Sequence, residues 1–469
     1  KENTKKLTIP LQKKHNLLEQ VTIPALSTIY EPDKTSYLVN QKRFSVNDNA
    51  LTVLNSIPSI SVINSEVKVL GQKNVAYFYN GKEVDFDFIK LLQAKGIKKI
   101  EVKDQNVKYK EGQFIIIDIL SNKLLDGYSL TAGQYLGSRN RIGSEINAKL
   151  KQKRLAIDAN MQFHSYKNEG SHNSTVELED KTTKLLYNGE RTNNFKNLLF
   201  SSNIGYEIDS MTRLSLYLNK VNTPTKKTIK TEQIIQESWN TKWSYNQSKF
   251  EQLTSHLEYI KKFNKQSELT SSLYFRNENQ IDSFQINQDS VSKSKYFINK
   301  KDLILHVDYA TKIGPSLNFS IGSKYIHRIN NNKFSYAVDF ENQQQEEDIF
   351  HLITEVISKN KWVNAVAAIN MELYKGNLKT NKEQIRRINY NNLLYSIILS
   401  KSLNSKNHFR LNVSRLIYRP SINMLSLFYN EQDINAIKIG KIYPLKNSAS
   451  FSLVTIGMIS PMKQIRECI

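Results

Sequence analysis

The sequence reads as an antiparallel transmembrane β-barrel, incomplete in its strand count, behind a small N-terminal α/β domain. Three observations predict this. The texture of the 469-residue chain changes near residue 124, from a compact mixed segment to a long succession of short strands. Within the second part apolar and polar residues alternate. Over residues 154–167, Leu155, Ile157, Ala159, Met161 and Phe163 form one face, and Asp158, Asn160, Gln162 and His164 form the other. Successive strand side chains point to opposite faces, so such a strand is apolar on one side and wet on the other. Finally, apolar content is 39% and mean hydropathy is −0.50. Both are low for a protein with a large dry core, and natural for a barrel, where only every second strand residue must be apolar.

Residues 1–32 are polar, Lys-rich and weakly patterned, which predicts a flexible extension. Inside it, Leu18, Glu19, Gln20, Val21, Thr22, Ile23, Pro24 and Ala25 make a short extended stretch. A segment of this kind can add as a strand to a partner's sheet edge, or serve as a plain linker.

Residues 33–123 predict strand, helix, strand, strand, helix, strand, strand. Residues 36–41 start extended. Residues 45–56 read as a short helix, capped by Ser45 or Asn47, with Leu51, Val53 and Leu54 as its apolar contacts. Pro58 ends it, since the residue before a proline avoids the helical region. Strands follow at 60–63 and 66–70. Residues 75–79 and 83–84 flank Asn80 and Gly81, a strong type I′ hairpin signal. A second helix over 87–95 closes on Gly96. Residues 97–102 and 114–120 are the last two strands of the domain.

From Tyr128 onward roughly fifteen candidate strands follow, each near the length of a tilted membrane strand. Leu214, Leu216 and Leu218 alternate with Ser215, Tyr217 and Asn219, and Leu317, Phe319 and Ile321 with Asn318, Ser320 and Gly322. Ala365, Ala367, Ile369, Met371 and Leu373 alternate with Asn364, Asn370 and Glu372. Short turns, such as 404–407, alternate with polar stretches at 167–180, 221–235 and 277–300 that read as long loops.

Net charge is +22, with Lys and Arg spread along the whole chain and interleaved with Asn, Ser and Glu. No dense basic block or basic helix exists, so nucleic acid is not the expected partner. A basic rim suits the phosphates of lipopolysaccharide. The single cysteine, Cys468, excludes a disulfide framework and a Cys-based metal site. No G-x-S-x-G, H-E-x-x-H, Walker loop or G-x-G-x-x-G is present, so neither an enzyme nor a cofactor is expected. His164 and His306 sit on polar strand faces, and His164 is a candidate lumen contact. Glu346, Glu347 and Asp348 read as a solvated loop. Trp239, Trp243 and Trp362 read as anchors at the headgroup level.

A family resemblance rests on words spaced along most of the chain. Residues 50–62 (ALTVLNSIPSISV), 67–71 (VKVLG), 79–82 (YNGK), 97–102 (IKKIEV) and 108–112 (KYKEG) resemble the plug domain of Bacteroidota TonB-dependent receptors. Val413, Ser414 and Arg415, residues 418–421 (YRPS) and 440–446 (GKIYPLK) are similar to the late-barrel signature of the outer-membrane β-barrel family that follows such plugs. The resemblance implies a plug at 33–123 and a barrel at 124–469, located in the bacterial outer membrane. It implies import of a scarce nutrient, with no resident cofactor. Its expected partners are outer-membrane lipid and lipopolysaccharide, a TonB-type energy-transducing protein and a surface lipoprotein. It identifies residues 18–25 as a candidate TonB box.

Three departures stand beside it. Asn80 and Gly81 replace the usual Asp-Gly hairpin. The last plug strand, 114–119 (FIIIDI), lacks the usual glycines. Only one credible strand, 450–456, follows the late-barrel signature, and the tail after Pro461 has no membrane-strand pattern. Plugged transporters have about 22 strands, so the expectation is a truncated chain whose sheet does not close. The rival readings are a non-transporting, adhesin-like binding barrel and a non-functional remnant.

Overall fold

The computed structural model describes residues 27–457, except 32–33, 46–47, 64–65, 70–74, 85, 104–114, 122–125, 139, 178–183, 236–237, 288–290, 337–338, 361, 381–385, 403–406 and 419–445. The candidate TonB box, most of the late-barrel signature and the tail after Pro461 lie outside the described residues.

The N-terminal part contains strands β1 (Ser27–Tyr30), β2 (Lys34–Leu38), β3 (Ile60–Ile63), β4 (Glu66–Val69), β5 (Val75–Tyr79), β6 (Lys82–Val84), β7 (Ile97–Lys103) and β8 (Ile115–Ser121). Six of them form one mixed sheet in the order β1-β2-β7-β8-β5-β6, with β5 and β8 parallel, and β3 and β4 form a separate hairpin. Strand β8 is central, and Ile115 to Ile119 are all buried. A strand covered on both faces reads as a continuous apolar run, which explains the Ile-rich departure noted above.

Two helices cover this sheet, α1 (Ala50–Asn55) and α2 (Phe86–Leu91). Both are shorter than the sequence pattern predicts. The α1 cap is Asn49, not Ser45 or Asn47. Its Oδ1 accepts from the amides of Leu51 and Thr52 at 3.0 and 3.3 Å, which satisfies two otherwise orphaned donors. Ala50, Val53 and Leu54 are buried in the domain core with Ile57, Ile89, Ile100 and Ile117. Asn80 and Gly81 both take positive φ, 51° and 81°, as a type I′ turn requires.

The rest of the described chain is one meander: β9 (Gly127–Gly137), β10 (Arg141–Gln152), β11 (Leu155–Glu177), β12 (Lys184–Asp209), β13 (Thr212–Ile235), β14 (Ser238–Lys262), β15 (Ser267–Asn287), β16 (Val291–Ile313), β17 (Leu317–Tyr336), β18 (Asp339–Ser358), β19 (Asn364–Thr380), β20 (Arg386–Ser402), β21 (Asn407–Tyr418) and β22 (Lys446–Gly457). These fourteen strands form one sheet in chain order, and every neighbouring pair is antiparallel. Its edges are β9 and β22, which do not pair with each other among the described residues.

The strands differ from expectation in length. From β11 to β20 they run 17 to 26 residues, where a tilted membrane strand needs about 9–11. The polar stretches 167–180, 221–235 and 277–300 are therefore mostly strand. Above the membrane both faces are wet, so the alternation that marks a strand fades. Thr, Ile, Tyr and Phe keep the β propensity, and the ladder begun in the membrane continues upward. Short turns join the other ends, as at residues 210–211, 263–266, 314–316 and 359–363.

The alternation itself holds. Near the short-turn end Leu257, Leu305, Ile321, Leu352, Ile369 and Met371 are exposed, while Glu355, Ile353, His351, Ala368 and Asn370 on the opposite face are buried. One face of the sheet is an apolar band for lipid and the other a largely polar wall. No helix among the described residues is long and apolar enough to cross a membrane.

Met161 is 46% exposed on the lipid face, and Gln162 follows it on the inner face. Met161→Arg places a charge in hydrocarbon and should cost about 2–4 kcal/mol. Gln162→Arg should cost little. Outer-membrane insertion yield of the two variants is the check, with a deficit expected for Met161→Arg alone.

Candidate functional site

The small domain sits on the inner, polar face of the sheet. Phe88 of α2 meets Tyr217 of β13 edge-on, ring centroids 5.3 Å apart. Tyr217 is 1% exposed and belongs to the same buried cluster as the domain core. A small cavity beside this contact is lined by Phe88, Leu92 and Gln93 on one side and by Asn147, Asp158, Asn160 and Ser201 on the other. Asp158 and Asn160 thus face inward, as the alternation predicts. The Tyr79 phenol, at the hairpin, is pushed up to about 12 by burial, with Asp158 adding to it, so it stays a neutral hydroxyl.

A second contact lies further along the sheet, after β18. Glu31 accepts from Lys359 Nζ at 3.0 Å. Lys359 belongs to the short turn between β18 and β19, so the start of the small domain is held at the short-turn side. Burial alone would raise the Glu31 carboxyl, but Lys359 and Lys34 outweigh it and hold it below the usual carboxylate range. These two residues are 328 positions apart, and nothing local in the sequence announces their pairing.

Within the small domain, charges line up across β2, β7 and β8. Glu101 is 4% exposed and is flanked by Lys99 at 2.5 Å, Lys34 at 2.9 Å and Lys103 at 3.7 Å. Lys103 also reaches Asp118 at 3.0 Å, and Asp118 Oδ1 accepts from the Gly81 amide at 3.0 Å. The hairpin tip at Asn80 and Gly81 is thereby pinned to the central strand.

The wall beside the small domain carries its own ladder. In register across β15 to β18 stand Arg276, Asp302, Arg328 and Glu347. Arg276 pairs with Asp302. Arg328 reaches Asp302 at 3.1 Å and Glu347 at 3.1 Å, and Tyr374 donates to Glu347 at 2.7 Å. Asp302 and Glu347 are buried. Buried charges persist only when paired and hydrogen-bonded; every charge of this row is paired, while Arg276 Nε is buried without an acceptor among the described residues.

Several sequence readings change here. Glu346, Glu347 and Asp348 lie inside β18, not in a loop; Glu347 is a buried ladder member, and Asp348 faces outward to Tyr325 and His327. His164 is hydrogen-bonded to Tyr135. Trp362 is 67% exposed in the short turn after β18, where a headgroup anchor belongs. Trp243 stands about 19 residues from the short-turn end of β14, far above the apolar band. It stacks on Tyr245 and is not an interface anchor. The Trp239 side chain lies outside the described residues. No cluster of three metal-ligating side chains exists among the described residues.

The architecture defines an outer-membrane β-barrel, located in the bacterial outer membrane. Residues 243–443 match the outer membrane protein beta-barrel family. Among solved structures, the chain is similar to BauA, the ferric preacinetobactin receptor of Acinetobacter baumannii, with TM-score 0.53 and 9% identity over 90% of this chain and 68% of that one. It is also similar to the copper transporter OprC, with TM-score 0.54 and 11% identity over 83% of this chain and 64% of that one. The chain thus spans about two thirds of each. At such identities the likeness establishes the fold. No curated protein matches the chain by sequence.

The charge line predicts an acid dependence. Burial opposes the Glu101 carboxylate, but Lys99, Lys34 and Lys103 outweigh it and lower its pKa from 4.5. Its contribution is complete above the unfolded-state value and is lost as pH falls through the lower folded-state value. Amide protection of β7 and β8 should therefore drop at acid pH in the wild type. Glu101→Gln should start lower at neutral pH and vary less with acid.

Proposed function

We propose that the chain is a TonB-dependent outer-membrane receptor that imports a nutrient ligand past a plug. The observation that carries this reading is the seating of the small domain: α2 packs on the polar wall, and the domain's first residues are tied to a short turn. Bacterial barrels place short turns on the periplasmic side and long extensions outside. Residues 1–26 then emerge toward the periplasm, where an energy-transducing partner can reach residues 18–25. Residues 33–123 act as the plug and residues 124–469 as the barrel. Outer-membrane lipid and lipopolysaccharide surround the apolar band, and a surface lipoprotein is a further partner at the outer mouth.

Pulling on an added strand at residues 18–25 transmits force first to β1 and β2. Glu31 and Lys34 stand at the start of that path, and Lys359 is the barrel group to which Glu31 is anchored. Breaking an exposed ion pair costs about 0–1 kcal/mol, so the tether orients the plug without locking it. The Phe88–Tyr217 contact is the firmer of the two.

The test is binding of the periplasmic domain of a TonB-type protein to the full chain in detergent. The full chain should bind, and deletion of residues 18–25 or Val21→Pro should abolish binding. Equal binding by the deletion variant, or none by any form, would contradict the reading and favour a non-transporting barrel.

A further inference from the structure

We propose that the lipid-facing side of β12, β13 and β14 holds one phosphorylated glycolipid of the outer leaflet. The proposal rests on the outer-membrane location and not on import. It starts from the order of side chains along β14. Leu257 and Leu253 belong to the apolar band and are 40% and 43% exposed. Lys249 follows on the same side, about 13 residues from the short-turn end of the strand, and then Tyr245 and Trp243, at about 17 and 19 residues. On β13 the order repeats as Leu214, Leu216 and Leu218, then Lys220 and Lys226, then Lys230. A tilted strand crosses the bilayer in about 9–11 residues. Lys226 and Lys249 therefore stand just above the hydrocarbon, and the aromatic pair further out. Acyl chain, phosphate and sugar follow one another in the same order in a phosphorylated glycolipid.

The cations form a cluster. Register puts Lys196 and Lys249 two strand spacings apart, about 10 Å, with Lys226 between them and one side-chain step, about 7 Å, higher. All three are exposed, and their long stems can converge on one phosphate. Acids are sparse on this side. Above the band, those with described side chains from β11 to β14 are Glu169, Glu190 and Glu251. Glu169 pairs with Lys167, Glu251 pairs with Lys249 at 2.8 Å, and Glu190 stands opposite Lys230. Lys196, Lys220 and Lys226 pair with no acid among the described residues.

Lysines at the other end of the sheet behave differently. Lys359 pairs with Glu31, Lys261 with Asp209 and Lys262 with Glu268, at 3.0, 3.9 and 4.0 Å. At the short-turn end the counter-charge is built into the chain. At the projecting end it is left to the surroundings, where a lipid phosphate supplies it.

The aromatic pair selects a sugar headgroup. Trp243 and Tyr245 are 38% and 39% exposed. Their rings stack, centroids 6.4 Å apart and 11° between planes, and Lys230 Nζ lies 5.6 Å from the Trp243 centroid. Paired aromatic surface facing water, this far above lipid, marks a contact site. The flat C–H face of a sugar ring covers such a platform while its hydroxyls stay in water. A plain phospholipid reaches the lysines but has no ring to lay on the indole.

The test is native mass spectrometry of the full chain in detergent, with heat-modifiable migration on gels as the check of folding. The probes are rough-type lipopolysaccharide, the same material after phosphatase treatment, lipid A without core sugars, and phosphatidylglycerol. One rough-type lipopolysaccharide should be retained per chain. Phosphatase treatment, and the triple variant Lys196→Gln, Lys226→Gln, Lys249→Gln, should each weaken binding about tenfold. Trp243→Ala with Tyr245→Ala should weaken binding of the rough-type material and leave that of lipid A unchanged. Phosphatidylglycerol should bind at least about tenfold more weakly. Lys261→Gln with Lys262→Gln, at the short-turn end, should change nothing. The proposal is overturned if no glycolipid is retained, if phosphatidylglycerol binds as tightly, or if the triple variant binds like the wild type. It is also overturned if the aromatic variant loses nothing, or if the short-turn variant loses as much as the triple variant. None of these substitutions touches residues 18–25 or the small domain, so failure here leaves the TonB-partner experiment untouched.

Discussion

Hydrocarbon offers no partner to a backbone amide or carbonyl, and the architecture follows from that constraint. Each strand must find its ladder in a neighbour, so the chain runs back and forth in sequence order from β9 to β22. Register then decides everything about the faces. A slip of one residue would turn every apolar side chain inward. The unbroken register from Leu155 to Ser358, with one bulge between Glu207 and Asp209, is what lets Met161, Leu257, Ile321 and Leu352 share one band. Fourteen strands form the described sheet, against about 22 in plugged transporters.

A polar inner wall is the second consequence. Arg276, Asp302, Arg328 and Glu347 meet because register brings them to one level, and each neutralises its neighbour. Among the described residues, the wall on the β10–β13 side meets the small domain through one aromatic contact, Phe88 with Tyr217, amid Asn and Ser side chains. A polar seam with one apolar clasp can separate at modest cost, because water can take the place of most lost partners. A dry, tightly interdigitated interface could not.

How much of this was legible depended on where water sits. In the membrane half the alternation is forced, and the facing of Met161, Asp158, Asn160 and Met371 could be read directly. Above the membrane that force is absent, so residues 221–235 looked like a loop although they lie inside β13. In the small domain the Asn80–Gly81 hairpin was readable from turn chemistry alone. The α1 cap was misplaced because Ser45, Asn47 and Asn49 are all good caps, and long-range pairing selects Asn49: it bridges to Gln93, and the Ala50 amide donates to the Leu92 carbonyl at 2.8 Å. The Glu31–Lys359 tether and the Arg276-to-Glu347 ladder were not readable as pairs. Each member is an ordinary charged residue whose partner is set by strand register or by the seating of the small domain, not by local pattern.

The seating of the small domain carries the account, and zero-length carbodiimide cross-linking of the full chain in outer membranes tests it most directly. Glu31 lies 3.0 Å from Lys359 in the barrel turn and 3.5 Å from Lys34 in its own domain. Mass spectrometry should find both the Glu31–Lys359 and the Glu31–Lys34 amide links. Recovery of the Glu31–Lys34 link without any Glu31–Lys359 link would mean that the domain is folded but not held at the short turn, and would contradict the account.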